Sequence, residues 1–327
     1  MRKVLLATTA LVAVTGVASA DVSISAYHEM HYSEISDDQT TSVDGAFSDS
    51  QDIYFSFSES ADNGLSFGLD VTLAVDGGDD ASGYTDEAKS YISGDFGTIV
   101  LGSEDAADVL MRVGHNNGMA NTASGGDAWV AFDYKNGGAV YAPTGVQAGK
   151  DDGLKVIYKS PSLAGFSFAA SWDDGGTGEN DTAVGVKYAT EMNGVGVTIG
   201  AGVYDSGEST DTAEKANAGI ALSMGDLSVG YNQSSNKTGT TVDYQATQVG
   251  VRYVLNDDVT IGGGYTKGDD DISNGDEVEI VELGVEYSIA PGLGFNLGYG
   301  SFEVTDSDNT TNNNDGSYMT ASIAMSF

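Results

Sequence analysis

Sixteen short segments of this chain alternate apolar and polar residues with a period of two. That period constrains the fold more than any other feature, because successive side chains of a β-strand point to opposite faces. In VELGVEYSI one face carries Val281, Leu283, Val285, Tyr287 and Ile289; the other carries Glu282, Gly284, Glu286 and Ser288. GFSFAASW sets Phe166, Phe168, Ala170 and Trp172 against Ser167, Ala169 and Ser171. TQVGVRYVL sets Val249, Val251, Tyr253 and Leu255 against Gln248, Gly250 and Arg252. The rhythm runs to the last residue, with Met319, Ala321, Ile323, Met325 and Phe327 on one face.

The connections between segments alternate in kind. ADNG, GDFG, PSLAG, EMNG, MGD, LNDD and APG are short; DGGDDASGYTD, DDGGTGEND, DSGESTDT, GDDDISNGD and DSDNTTNNNDG are longer and acidic. Tight turns at one end and polar loops at the other describe an up-and-down antiparallel meander. Pro143, Pro161 and Pro291 all fall in connections, where they break no ladder hydrogen bond.

Two architectures suit such a meander. A soluble sandwich or propeller buries the apolar face of each strand against protein. A membrane barrel turns that face to lipid, and its sheet has to close because no backbone group can go unpaired in hydrocarbon. Opposite each apolar face lies one of glycine, serine and charge, and Tyr188, Tyr231, Tyr253, Tyr265 and Tyr287 end the apolar faces as interfacial aromatics do. The pattern therefore predicts an all-β fold: a 16-stranded antiparallel transmembrane β-barrel. With an even strand count the first and last strands pair, and Phe327 ends the chain in the barrel wall, facing outward.

The first twenty residues, MRKVLLATTALVAVTGVASA, have a basic start at Arg2 and Lys3, an apolar core, and the A-x-A site Ala18-Ser19-Ala20. That is a secretory signal peptide, which leaves residues 21–327 as one barrel domain. The 327-residue sequence has no cysteine, so disulfides and thiol nucleophiles are excluded. A formal net charge of −36 repels phosphate and argues against nucleic acid as a partner.

YISGDFGTIVLGSE (91–104) resembles the fourth strand, turn and fifth strand of the general porins of Gram-negative outer membranes, of the type found in Rhodobacter-like alphaproteobacteria. DNGLSFGLDVTL (62–73) resembles that family's second turn region and third strand, and the terminal phenylalanine is similar to its barrel-assembly signal. The likeness covers the layout of the whole mature chain and is motif-like only in these stretches. It implies an outer-membrane homotrimer that passes ions and small hydrophilic solutes. It also implies lipopolysaccharide and outer-membrane lipid around it, the barrel-assembly machinery as a partner, and no cofactor.

In that layout the interruption at about 104–152 is the third external loop, folded into the pore to constrict it. EDAADVLMRV (104–113) has helical composition and spacing, with Glu104, Asp105 and Asp108 at the helix start and Arg112 near its end. Lying against the inner wall, it places carboxylates in the permeation path. Parity with neighbouring apolar residues puts Lys89, Lys155, Lys159, Lys187 and Arg252 inside; a lipid-facing lysine at midplane costs roughly 2–4 kcal/mol. Glu29, Asp70, Glu282 and Glu286 face inward by the same parity. The family's constriction carries an arginine cluster, whereas Arg112 and Arg252 are the only arginines of the mature chain, so the opposing cations are mostly lysine. The expectation is a cation-preferring diffusion channel.

The alternative is a barrel with a mainly structural or adhesive role, its acidic external loops bridged by calcium; GDDDISNGDE (268–277) offers oxygen ligands. No spacing matches an EF-hand or the nine-residue calcium repeat. Enzyme signals are weak. GLSFG (64–68) matches G-x-S-x-G, but a turn precedes Ser66 and a strand follows, the reverse of a nucleophile elbow. His28 and His31 point to opposite faces of one strand and cannot share a metal, and His115 stands alone in the long loop.

Overall fold

The structure is a computed structural model that describes residues 21–37, 43–74, 87–114, 153–173, 180–207, 213–240, 242–270, 276–305 and 313–327. The leader, His115, Pro143, and most of the long acidic connections lie outside these residues.

Each alternating segment forms a strand. In chain order these are β1 (Asp21–Asp37), β2 (Val43–Ser60), β3 (Ser66–Ala74), β4 (Glu87–Gly94), β5 (Gly97–Ser103) and β6 (Leu154–Lys159). Then come β7 (Phe166–Asp173), β8 (Asp181–Met192), β9 (Val195–Asp205), β10 (Ala213–Met224) and β11 (Leu227–Thr238). The series ends with β12 (Val242–Val254), β13 (Val259–Asp270), β14 (Asp276–Ala290), β15 (Leu293–Thr305) and β16 (Asn314–Ser326). Each strand pairs antiparallel with its sequence neighbours, and β1 pairs with β16, so the sixteen strands close into a barrel. The closure reaches the last residue: Phe327 N–H donates to Ala26 O at 2.9 Å, and Ala26 N–H donates to Phe327 O at 3.1 Å.

Several strands run further toward the long connections than their apolar alternation does. β1 extends from the apolar stretch ending at Met30 to Asp37, and β11 continues through Ser234, Ser235, Asn236 and Lys237. Backbone pairing with the neighbour, not burial of apolar side chains, holds these polar ends in the sheet. The short turns carry the chemistry their geometry demands. Asn193 and Gly194 both have positive φ, 53° and 79°, between the paired ends Met192 and Val195, which is the two-residue hairpin that Asn-Gly favours.

The apolar face is the exposed one. Leu283 is 62% exposed, Val186 55% and Trp172 47%, while Glu282 and Ser171 on the alternate positions are buried. The buried polar face is the concave one, because side chains on it meet across an intervening strand. Tyr318 on β16 donates to Glu282 on β14, passing over Gly300 of β15, where a Cβ would fall on the tyrosine ring. Arg252 on β12 reaches Glu286 on β14 at 2.9 Å, over β13. An apolar exterior around a polar interior is the arrangement of a membrane barrel.

Candidate functional site

Between β5 and β6 the chain leaves the wall, and residues 104–114 lie across the inner face of β6 to β11. A helix over 104–113 is not what forms. Only Ala107–Leu110 (α1) is helical, because the wall, rather than the segment itself, satisfies its backbone. Lys155 Nζ donates to Glu104 O at 2.7 Å, and Ala107 N–H donates to Ser171 Oγ at 3.0 Å. Asn217 Nδ2 reaches Asp108 O at 3.3 Å, Lys187 Nζ reaches Leu110 O at 3.1 Å, and Asn232 Nδ2 reaches Val113 O at 2.8 Å. Each such bond contributes on the order of 1 kcal/mol net, and together they pin the segment along its length.

Packing completes the seat. Ala106, Ala107 and Met111 form a buried apolar cluster with Ala169, Ala183 and Tyr204 of the wall. Under the segment the wall carries glycine: a Cβ at Gly185 would sit 2.6 Å from Ala107 O, one at Gly202 2.5 Å from Asp108 Cβ, and one at Gly230 2.6 Å from Gly114 O. Asp105, Val109, Leu110 and Arg112 are the half-exposed residues of the segment, while Ala107, Asp108, Met111 and Val113 are buried.

The acidic residues of the segment have different environments. Glu104 turns away from α1 and meets two wall lysines: Lys89 Nζ at 3.1 Å and Lys159 Nζ at 3.6 Å from its Oε2. Lys89 also holds Glu87 at 3.0 Å, an acid the sequence reading did not single out. Asp105 is half-exposed. Asp108 is wholly buried, pressed against Gly202, so its carboxylate does not face open lumen. Neither of its carboxylate oxygens has a hydrogen-bond partner of good geometry. Burial pushes its carboxyl up to about 6; the backbone N–H groups of Asp108 and Val109 and the charges of Arg112 and Lys215 pull the other way more weakly.

The five wall cations are therefore not one cluster. Lys89 and Lys159 flank Glu104, Lys155 and Lys187 bind backbone carbonyls of the segment, and Arg252 pairs separately with Glu286. Near the closing seam Glu29 accepts from Ser322 at 2.5 Å, from Asn296 at 3.2 Å and from Tyr27, with His31 Nε2 at 3.7 Å. Asp70 accepts from Ser56 at 2.6 Å. His28 pairs across the seam with Met325, on the face opposite His31. Ser66 Oγ lies 3.2 Å from Ser60 Oγ. Among the described residues no group of three histidines or acids is placed to hold a metal ion.

The sequence signals for Asn217, Asn232 and the wall glycines were present but silent. A polar or small residue at an inward position suits water as well as a seated segment, and only the path of the chain distinguishes them.

A closed barrel with an exposed apolar exterior and a charged interior crossed by a pinned segment is the form of a membrane channel. The sequence profile of the Gram-negative porins matches residues 7–322, and the chain belongs to that family. No curated protein matches the sequence. Among solved structures the chain is similar to an anion-selective porin from Comamonas acidovorans, with a TM-score of 0.68 at 14% identity over 94% of this chain and 100% of that one. It is also similar to OmpT, an outer-membrane protein of Vibrio cholerae in trimer form, with a TM-score of 0.64 at 13% identity over 94% and 100%. A variant of the Rh. blastica porin gives 0.62 at 17% identity, again over 94% and 100%. The sixteen-stranded porin fold of an outer-membrane channel is thus established for this chain.

Proposed function

We propose that this porin passes small hydrophilic solutes by diffusion and prefers cations. The observation that carries the preference is the excess of acid over base, a formal net charge of −36, because the wall charges themselves are largely matched. Lys89 and Lys159 share Glu104, Arg252 is matched by Glu286, and Lys155 and Lys187 are turned to backbone carbonyls under the segment. By contrast, Glu29 and Asp70 are held by hydroxyl and amide donors, and Glu282 accepts from Tyr318. Neutral partners cancel no charge on either side, so Lys155 and Lys187 stay positive just as Glu29, Asp70 and Glu282 stay negative; these wall groups nearly balance, and the acidic connections add the excess negative charge that favours cation entry. The transverse field at the narrowest point comes from Glu104 facing Lys89 and Lys159, and Arg112 extends it from the half-exposed side of the segment.

In this reading residues 1–20 are a cleaved signal peptide, 21–327 form the barrel domain, and residues 104–152 form the constriction loop. The assembly is a homotrimer in outer-membrane lipid and lipopolysaccharide, and Phe327 serves as the recognition signal for the barrel-assembly machinery. The trimer form of the Vibrio cholerae structure supports the assembly, and the fully closed seam at Phe327 supports the role of the terminus. The test of ion preference is a reversal potential across a bilayer with a salt gradient. A potential of cation sign supports the reading, and one of anion sign, as the selectivity of the Comamonas protein would give, overturns it.

A further inference from the structure

The residues that set the bore of a channel are usually sought among those that face it, yet the seat beneath residues 107–114 governs how far the segment stands from the wall. Gly202 of β9 lies under Asp108, Gly200 under Met111, and Gly219 of β10 under Val113. At each of these glycines a Cβ would run into backbone or Cβ atoms of the segment, not into the end of a flexible side chain that could swing aside. None of the three has a left-handed φ, so the backbone does not require glycine there. Room for the segment is what the missing side chain provides. The tethers from Asn217, Lys187 and Asn232 draw the segment down onto this surface from both sides of the glycines.

We infer that Gly200, Gly202 and Gly219 act as the size-determining residues of this pore, by letting the segment lie flush against the wall. The inference rests on the channel reading and adds to it which residues fix the exclusion limit. An added methyl leaves the segment tethered but lifts it by roughly 1 Å to recover ordinary contact distance. Among the described residues the tethers of the segment come from the wall beneath it, so the displacement is into the lumen. The bore narrows without any change in the charges that line it.

The experiment compares unitary conductance and the largest sugar that passes for the wild type, Gly202→Ala, Gly219→Ala and Gly294→Ala in one bilayer system. Gly294 is a half-buried inner-wall glycine outside the seat, where a Cβ would meet only Tyr287 O at 3.9 Å. Lower conductance and a smaller exclusion limit in the first two variants, with ion preference kept and Gly294→Ala equal to wild type, is the expected result. Unchanged or larger conductance in heat-modifiable Gly202→Ala and Gly219→Ala barrels overturns it. A wild type that gives no stepwise current defeats the channel reading itself, which keeps the two failures distinct. If the alanine barrels do not form, Asn232→Ala and Asn217→Ala cut the tethers without adding bulk. A noisier open level in those variants supports the seat, and a quiet wild-type level contradicts it.

Discussion

Lys89 Nζ on β4 stands 3.1 Å from Glu104 Oε2, an acid that belongs to the chain crossing the lumen, and Lys159 on β6 approaches the same oxygen at 3.6 Å. One carboxylate thus bridges two cations on the strands that flank β5. Removing its charge leaves Lys89 to Glu87 and takes from Lys159 the acid it faces.

Glu104→Gln is therefore expected to shift ion preference toward anions. At about 4 Å in water a unit charge is worth about 1 kcal/mol, enough for a several-fold change in the permeability ratio. Reversal potentials of the variant and wild type in the same salt gradient check this. A ratio unchanged by the substitution would remove Glu104 from the selectivity account.

Asp108 gives a pH dependence with a definite sign. Its carboxyl is raised from 3.8 to about 6 when buried against Gly202, so the docked segment holds a proton that the undocked segment releases. Docking is strongest below the ordinary carboxylate value, weakens as pH rises through the window from about 4 to 6, and is constant above it. A shift of this size corresponds to at most about 3 kcal/mol at neutral pH. Open-channel noise is expected to rise across that window and to be low and flat in Asp108→Asn. Persistence of the same pH dependence in Asp108→Asn would rule the residue out.

Tyr318 is buried and donates to the buried Glu282. Tyr318→Phe keeps the ring over Gly300 but takes that donor away, at a cost of about 1–3 kcal/mol. The temperature at which the folded band disappears in a heat-modifiability gel should fall. An equal temperature would show that this bond adds nothing to the β14–β16 wall.

Leu283→Lys tests the outward assignment. A lysine at midplane on the lipid face costs about 2–4 kcal/mol, and the variant should insert poorly into bilayers. Gly294→Lys, at a half-buried inner-wall position, should insert normally. Equal insertion of both would mean that Leu283 does not meet hydrocarbon.

The strands were legible in the sequence because a two-residue period leaves only two faces, and the contrast between Leu283 and Glu282 decides which is which. Inward placement of Lys89, Lys155 and Arg252 followed from the same parity. Which of them meet was not legible. Lys89 and Lys155 sit at equivalent positions opposite Gly102, yet one takes the side chain of Glu104 and the other its carbonyl. That difference depends on where the chain turns off β5, a property of the path and not of the local pattern. The helix expected over 104–113 is cut to four residues for a related reason, since wall donors such as Asn217 and Asn232 replace the helical hydrogen bonds. Asp108 shows the limit of composition: an acid near a helix start looks solvent-facing until the neighbouring strand is known to carry Gly202 beneath it.

Current through single molecules in a planar bilayer tests the account most directly. Purified, folded protein should give discrete, ohmic steps whose reversal potential in a salt gradient has the cation sign. A heat-modifiable barrel that inserts and yet carries no stepwise current would contradict a water-filled lumen behind the apolar wall.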